Sequence, residues 1–383
     1  MLIFQIVYDN IMIKQTIANH LKNIPGWRTS RKLVVISVDD YGNVRLDSKK
    51  ARENMDKAGL KVHSRFDALD TLETREDLEA LYEVLTSVKD KHGNHAIFTP
   101  FALTSNINFE AMQEDGHSSY IYELLPETYA KLADLNAQDY KGTWELWQEG
   151  IEKGIMKPQL HGREHFNVLE LEEKLIAKDK EVLIALKNRS YTSISSTRYP
   201  TRSWTGAFTY WSYSENDGLS LIAKDGLSKF EQVYGYKPVH FMAPTAIASN
   251  QVLKTLSQEG ILITDKPLLE NYHLGKGNFK KKFYYTGKSF LVNMKSMVRN
   301  VVFEPADNSA SITIAMEQIN TAFRLNKPAV ISSHRVNYCG LIDPKNRELG
   351  LKKLKELLNL IILKHPDVEF ISSSDLINLM NNE

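Results

Sequence analysis

Short apolar runs alternate with amphipathic segments along most of the chain. The clearest run spans residues 33–38 and is largely β-branched, which is typical of a strand buried on both faces of a parallel sheet. Further strands are predicted at 95–101, 154–160, 239–244, 261–265, 329–334 and 368–371. Helices are predicted between them at 47–58, 74–88, 128–137, 169–187, 216–234, 250–259, 313–325 and 347–364. This alternation predicts an α/β fold with a mainly parallel sheet.

Two stretches interrupt the alternation, and they define the expected domain organisation. Residues 105–150 and 266–328 are less regular, and we expect them to be insertions. Residues 1–31 are expected to form an N-terminal extension with a helix around 11–21, and residues 32–383 a single domain. The run Lys280–Lys282 within the second stretch is expected to be a solvated turn, because so few charges make a weak field in a neutral protein.

Composition excludes several classes of protein. Lysine plus arginine number 48 and aspartate plus glutamate 47, so the chain has no general field for binding nucleic acid. A single cysteine, Cys339, rules out an internal disulfide framework and a cysteine-based zinc cluster. Gln5 and Asp9 interrupt the apolar N-terminus, and no later apolar stretch approaches the ~18 residues of a membrane span. We expect a cytoplasmic protein with no integral membrane segment.

Candidate chemistry is concentrated at the predicted strand ends. Asp39 and Asp40 end the first strand, His161 and His165 follow the third, and His334 ends a later one. The carboxyl ends of strands in a parallel barrel meet at one rim, and adjacent aspartates require a nearby cation or donors. The histidine pair with Asp40 would make a divalent metal site with room for water. Asp39 as base and His334 as acid would then fit hydrolysis of an amide or ester.

These segments resemble the motifs of the polysaccharide deacetylase (NodB-homology, carbohydrate esterase family 4) superfamily. That family has a strand ending in Asp-Asp, a His-(Ser/Thr)-x-x-His segment, a segment ending in proline, and a strand ending in Leu-x-His. Their counterparts here are Val38–Asp40, His161–His165, Phe241–Thr245 and Ser332–His334. The segment Asp39–Gly42 is also similar to the Asp-Asp-Phe-Gly of YdjC-like carbohydrate deacetylases.

The resemblance implies a distorted (β/α) barrel of the glycoside hydrolase/deacetylase type, carrying the two insertions. It implies Asp39 as catalytic base, His334 as catalytic acid, and Asp40, His161 and His165 as metal ligands. The implied reaction uses metal-activated water to remove an N-acetyl or O-acetyl group from a sugar or glycan. Zn²⁺ is the expected ion, and Co²⁺, Mn²⁺ and Fe²⁺ also accept such ligands. The oligomeric state is not predicted.

The chain departs from the family pattern at three places. Met242 stands where the family has an arginine that orients the catalytic aspartate, and Gly162 replaces a hydroxyl residue. The family's Asp-x-x-Asp-Trp motif has no clear counterpart, and Asp265 is the nearest candidate. We hypothesise that Arg335 or Arg163 supplies the missing guanidinium. The predicted substrate-binding residues are Pro244, Arg335, Arg163, Tyr41 and Trp204, the last in an aromatic loop suited to stacking on sugars.

Two other functions remain open from the sequence. The chain would be a non-catalytic carbohydrate-binding relative if the missing arginine at Met242 abolished turnover. His161–His165 also fits the His-x-x-Glu-His pattern of a metallopeptidase with Glu164 as base. That pattern requires a continuous helix, which Pro158 and Gly162 disfavour.

Overall fold

The computed structural model describes residues 17, 19–195 and 198–382. The strands are β1 (Lys32–Tyr41), β2 (Phe98–Leu103), β3 (Ser105–Ile107), β4 (Tyr122–Leu124), β5 (Gln159–Gly162), β6 (His240–Phe241), β7 (Ile263–Asp265), β8 (Leu269–Gly275), β9 (Asn278–Phe283), β10 (Lys288–Leu291), β11 (Met294–Met297), β12 (Val301–Val302), β13 (Ala329–His334) and β14 (Val368–Phe370).

The α-helices are α1 (Lys49–Lys57), α2 (Arg65–Leu69), α3 (Arg75–Thr86), α4 (Phe109–Glu114), α5 (Leu125–Leu135), α6 (Ala137–Tyr140), α7 (Thr143–Glu152), α8 (Val168–Ile176), α9 (Lys180–Lys187), α10 (Asn216–Tyr234), α11 (Asn250–Gln258), α12 (Ser311–Arg324), α13 (Pro344–Lys364) and α14 (Ser373–Asn382). Three 3₁₀ turns lie at Tyr213–Glu215, Pro244–Ala246 and Arg335–Asn337. Most of the helix predicted at 11–21 lies outside the described residues, whereas residues 19–23 are helical.

A curled, mainly parallel sheet forms the centre of the fold. Ten strands of the described chain join it in the order β10-β11-β7-β6-β5-β2-β1-β13-β12, with β14 paired to the start of β1. Only the pairing of β10 with β11 is antiparallel among its ladders. The strands β11 and β12 pair with β7 and β13 respectively, yet only residues 298–300 separate them. The chain itself therefore joins the two ends of the sheet.

The core shows the same curl. Leu33 and Val35 of β1 share a small apolar cluster with Ile263 of β7, although β7 and β1 are far apart in the strand order. Met297 and Val330 belong to that cluster, and side chains of α14 also pack into it. The alternate residues of β1 face the larger core on the other side. The predicted α/β barrel class is confirmed.

Several predicted elements are confirmed nearly to the residue. The helix predicted at 216–234 is α10, and Gly235 follows it with a left-handed φ of 79°. At the start of α3, Thr74 and Asp77 exchange backbone and side-chain hydrogen bonds as a capping box. The strand predicted at 329–334 is β13.

Other predictions were wrong. The helix predicted at 169–187 is two helices, because Lys178 adopts a left-handed φ of 50° and Asp179 caps α9. The lysine run at 280–282 lies in β9 rather than in a turn. The barrel also extends into the second predicted insertion, which contributes β10, β11 and β12 to the main sheet. The division into an extension and a single domain stays a prediction.

None of the helices in the described ranges combines the length and apolarity needed to cross a bilayer.

Helix α13 packs closely on the turn that follows the predicted acid, His334. A Cβ added to Gly350 would lie 1.9 Å from the carbonyl oxygen of Asn337 in that turn. We expect Gly350→Ala to lower the free energy of unfolding by about 3 kcal/mol through overpacking. The matched control is Gly218→Ala in α10, which meets nothing within 4 Å and should be neutral or slightly stabilising. Urea unfolding measures both, and equal effects would contradict the packing account.

Candidate active site

Asp39 and Asp40 both face a cavity at the end of β1, although consecutive strand residues normally point to opposite faces. Asp39 follows the alternation of Leu33 and Val35 toward the barrel interior. Asp40 has a left-handed φ of 78°, and the pairing of β1 with β2 shifts register between Val38 and Tyr41. Each aspartate side chain is 5% exposed. The local break in the strand therefore brings two buried carboxylates to one cavity.

Asp40 meets both predicted histidines. Its Oδ1 lies 2.9 Å from Nε2 of His165 and 3.3 Å from Nε2 of His161. The ligand atoms of these three buried residues lie within 4.8 Å of one another. His161 is the penultimate residue of β5, Gly162 ends the strand with a φ of 146°, and His165 lies in the following turn. The three predicted ligands are thus brought together by a strand end and a turn, not by a helix.

The hydrogen bonding of these residues fits a bound cation. His161 Nδ1 lies 2.7 Å from the carbonyl oxygen of Met242, which can only accept, so Nδ1 carries the proton. The lone pair on Nε2 then faces the Asp40 carboxylate, and a cation between two acceptors relieves that repulsion. Ligands about 2.1 Å from a tetrahedral ion lie about 3.4 Å apart, close to the 3.3 Å between Asp40 Oδ1 and His161 Nε2.

The protonation states also suit metal ligands. Burial lowers the pKa of His165 despite the adjacent Asp40, which favours the neutral imidazole. Burial alone would raise the pKa of Asp40, but its close contacts with His165 and His161 hold it well below its usual range. A neutral imidazole pair with an ionised carboxylate is a donor set of the catalytic zinc type. We conclude that the residues present fit a divalent ion.

Asp39 is held by an arginine that the sequence analysis missed. Arg299 donates from Nη1 and Nη2 to the two carboxylate oxygens of Asp39, each at 2.8 Å. Its Nε donates to Asp265 at 2.9 Å. Arg299 lies in the three-residue segment that joins the ends of the sheet. Asp265, the nearest candidate for the missing motif, is therefore part of the same network.

The hypothesis that Arg335 or Arg163 holds Asp39 is wrong. Arg335 is fully buried and pairs with Asp70 and Glu73. Arg163 pairs with Glu164 and, at 2.7 Å, with Asp225. Both guanidinium groups already have carboxylate partners away from the cavity lining. Their predicted roles in substrate binding stay predictions.

His334 carries a proton at neutral pH. Its Nδ1 lies 2.7 Å from Glu304, and its Nε2 lies 3.9 Å from Oδ2 of Asp39. Burial would lower the pKa of His334, but the hydrogen bond with Glu304 and the charges of Asp40 and Asp39 raise it to about 9. The imidazolium therefore presents a proton donor beside the clamped carboxylate.

These groups share one cavity of about 390 Å³. Phe66 stands at its side with its ring edge-on to His334, 5.3 Å between centroids. Thr245 and Ala246, which also line it, have left-handed φ values of 61° and 60°, a conformation costly for a β-branched residue. The complete lining is Asp39, Asp40, Arg45, Phe66, His161, His165, Thr205, Met242, Thr245, Ala246, Ser332 and His334.

Three other predicted substrate-binding residues lie just behind this lining. Tyr41 is 1% exposed and packs edge-on against Phe98 and Trp147. Trp204 stacks on Phe166 and is buried. Pro244 is buried at the start of the turn that carries Thr245. Contact of these three residues with a substrate stays a prediction.

Glu73 supports the turn that follows Asp40. It is 1% exposed and accepts a hydrogen bond from the Gly42 amide at 3.1 Å. It also accepts from Tyr129, Trp147 and Arg335 at 2.8, 3.1 and 3.0 Å. A buried carboxylate with this many donors holds a fixed position. These hydrogen bonds therefore fix the position of the backbone that carries Asp39 and Asp40.

One missed residue had a usable signal in the sequence. Glu304 follows the short apolar run 301–303, just as Asp39 and His334 end their own strands. Arg299 had no such signal in the sequence, because its partner Asp39 is 260 positions away.

No protein-family model and no curated protein matches the sequence. A probable polysaccharide deacetylase from Pseudomonas aeruginosa PAO1 is similar in structure over 92% of both chains, at 10% identity and a TM-score of 0.46. A Mycobacterium smegmatis protein assigned as a polysaccharide deacetylase covers 94% of this chain and 93% of its own, at 13% identity and a TM-score of 0.45.

A third similar structure was solved with a metal ion. It is a family 4 acetyl xylan esterase from Clostridium thermocellum in complex with cobalt, at 10% identity over 91% of both chains, with a TM-score of 0.35. All three TM-scores are below 0.5, so the functional proposal rests on the geometry of the site. Solved structures similar to this chain over nearly its whole length thus include polysaccharide deacetylases, the family that its motifs resemble.

The raised pKa of His334 depends on Glu304. We expect Glu304→Gln to lower the pKa of His334 from about 9 toward the ordinary value of about 6.5, because glutamine still accepts from Nδ1 but carries no charge. NMR titration of His334 in metal-free protein measures this change in pKa. The control is Glu348→Gln, which removes the charge of an exposed side chain on α13. An unchanged pKa in Glu304→Gln would contradict the assignment.

The same shift sets a pH dependence of stability. Because the pKa of His334 is raised on folding, its contribution is complete below about pH 6.5 and is lost as the pH rises through about 9. We expect the wild type to lose more stability than Glu304→Gln across that window in urea unfolding. Parallel losses in the two proteins would contradict this linkage.

Proposed function

We propose that this protein is a metal-dependent hydrolase that removes the acetyl group from an N-acetylated, or alternatively O-acetylated, sugar or glycan. One observation carries the proposal. A single cavity holds a cation-binding set, a carboxylate clamped by arginine, and a protonated histidine. Hydrolysis of an amide requires these three capabilities together, namely an activated water, a base and an acid.

Each residue has a distinct task in this proposal. Asp40, His161 and His165 would hold a divalent ion, with Zn²⁺ expected and Co²⁺, Mn²⁺ and Fe²⁺ as alternatives. When bound, such an ion polarises a carbonyl and lowers the pKa of a water molecule. Asp39, fixed by Arg299, accepts the proton of the attacking water.

His334 protonates the departing group. His334 donates its Nε2 proton to the leaving nitrogen, or to the leaving oxygen of an ester, and Glu304 stabilises the imidazolium beforehand. An amine leaves poorly without a proton, so a histidine that stays protonated at neutral pH suits an amide substrate. The sugar as substrate class is supported by the resemblance of the motifs to those of the deacetylases. The cavity volume lies in the range of small-molecule sites.

The two alternative functions receive less support. A binding-only relative was suggested by Met242 in place of the family arginine, but Arg299 reaches Asp39 from another segment. A metallopeptidase would need Glu164 as base beside the metal. Its carboxylate instead accepts from Tyr120 at 2.8 Å and pairs with Arg163, outside the cavity lining.

Metal content and acetate release test the proposal together. We expect purified wild type to bind one equivalent of divalent metal and to release acetate from one member of a panel of N-acetylated and O-acetylated sugars. His161→Ala and His165→Ala each remove one ligand of three, so both should lose the metal and the activity. The matched control is His63→Ala, whose side chain is 75% exposed, and which should retain both.

Elemental analysis and an acetate assay read the two properties separately. Wild type that takes up no Zn²⁺, Co²⁺ or Mn²⁺ would contradict the proposed hydrolase. Metal bound with undiminished affinity in both histidine variants would contradict the ligand assignment.

A further inference from the structure

Residues 266–300 are strongly basic in an otherwise balanced chain. They contain eight lysines and arginines and one acidic residue, whereas the whole chain carries a net charge of +1. The acidic residue, Glu270, is neutralised by Lys266 at 2.6 Å. Lys276, Lys280 and Lys281 are exposed and form no ion pair with any described residue. The hairpin of β8 and β9 therefore carries unneutralised positive charge.

One face of this hairpin also exposes apolar side chains. Leu269 pairs with Phe283, Asn271 with Lys281, and His273 with Phe279, so these residues share a face. Leu269, Phe279 and Phe283 are 55%, 55% and 46% exposed. We call Leu269, Phe279, Lys281 and Phe283 the hairpin face. Large apolar side chains grouped on an exposed surface mark an interaction site.

The exposure of this face is fixed by contacts on β8. The Tyr210 hydroxyl donates to the carbonyl of His273, and the Asn250 amide donates to the Tyr272 hydroxyl at 3.1 Å. The Lys276 amide donates to the carbonyl of Trp211 at 2.7 Å. A slip of one residue would bury the apolar side chains and break these bonds. The register therefore holds phenylalanine and leucine toward solvent.

The hairpin lies beside the catalytic cavity. Residues of β8, including Leu269 and Glu270, line a second cavity of about 220 Å³ together with Thr245 and Ala246. Thr245 and Ala246 also line the catalytic cavity. A surface bound by the hairpin face would therefore lie next to the site of the proposed reaction.

We propose that the hairpin face docks on an anionic lipid bilayer and presents the catalytic cavity to acetylated sugars carried on lipids. Lys281 of this face and Lys276 at the turn would contact anionic headgroups, while the phenylalanines and leucine enter the boundary between headgroups and acyl chains. Lys280 pairs with Tyr272 on the opposite face of the hairpin and adds to the positive field within a Debye length of the surface. Charge complementarity and aliphatic exposure favour a bilayer over an acidic glycan, which offers no apolar phase for leucine. The substrate part of this inference rests on the proposed deacetylase function, whereas the docking itself does not.

Vesicle co-sedimentation tests the docking directly. We expect wild type to bind phosphatidylcholine vesicles that contain phosphatidylglycerol, and to bind pure phosphatidylcholine weakly. Charge reversal of Lys276, Lys280 and Lys281 to glutamate should lower the partition coefficient at least about 100-fold, from the contribution of each lysine near an anionic surface. The double variant Phe279→Ser/Phe283→Ser should also lose binding. High salt should weaken the wild-type interaction.

The matched controls change exposed residues that lie on helices and not on the hairpin. Lys345, Lys352 and Lys355 of α13 take the same reversal to glutamate, and Ile176→Ser/Leu363→Ser removes two apolar side chains that are 82% and 77% exposed. Both controls should bind anionic vesicles as wild type does. Thermal unfolding of every variant verifies that it is folded.

Three outcomes would overturn the docking. The first is that wild type does not bind anionic vesicles, and the second is that the control variants lose as much binding as the hairpin variants. The third is that wild type binds polygalacturonate but not vesicles, which would identify the hairpin face as a glycan-binding surface. His161→Ala separates this inference from the proposed function, because it should bind vesicles while lacking metal and turnover. If wild type binds vesicles but never releases acetate, the docking stands and the proposed function fails.

Discussion

Two carboxylates on consecutive residues are buried at the end of one strand, and the site is built around the need to neutralise them. Charges so close cannot both stay ionised in a protein interior without positive partners. Arg299 neutralises Asp39, and the two histidines lie beside Asp40 with room for a cation. The left-handed backbone at Asp40 turns both side chains to one cavity. The local fold thereby gives the two carboxylates different partners.

Closure of the barrel and assembly of the site depend on the same short segment. Residues 298–300 join the two ends of the sheet, and Arg299 in their middle links Asp39 of β1 with Asp265 of β7. On the other side of the turn, Glu73 holds the Gly42 amide and Arg335. Removing one partner from such a buried network leaves an uncompensated charge, at a cost of roughly 3–5 kcal/mol. Positioning of the reactive groups and stability of the fold are therefore coupled here.

Local patterns in the sequence predict most of the fold and most of the candidate site. Continuous apolar runs identified β1 and β13, and polar residues at predicted strand ends identified Asp39, Asp40, His161, His165 and His334. The short apolar run 301–303 was not recognised as the strand β12, and Glu304, which follows it, was missed with it. Arg299 is found only through a contact across 260 residues. Asp40, His161 and His165 were predictable because each lies in a short motif at a strand end, whereas Arg299 and Glu304 reach the cavity residues only through the tertiary fold.

We propose that Asp39 and Asp40 have different tasks, the first as base and the second as metal ligand. Asp39→Asn and Asp40→Asn remove the same charge from neighbouring positions, so each is the control for the other. Isothermal titration with Zn²⁺ measures their metal affinity directly. We expect Asp39→Asn to bind the ion with an affinity close to wild type, and Asp40→Asn to lose at least about 100-fold in affinity. Equal losses in the two variants, or a loss confined to Asp39→Asn, would contradict this proposal.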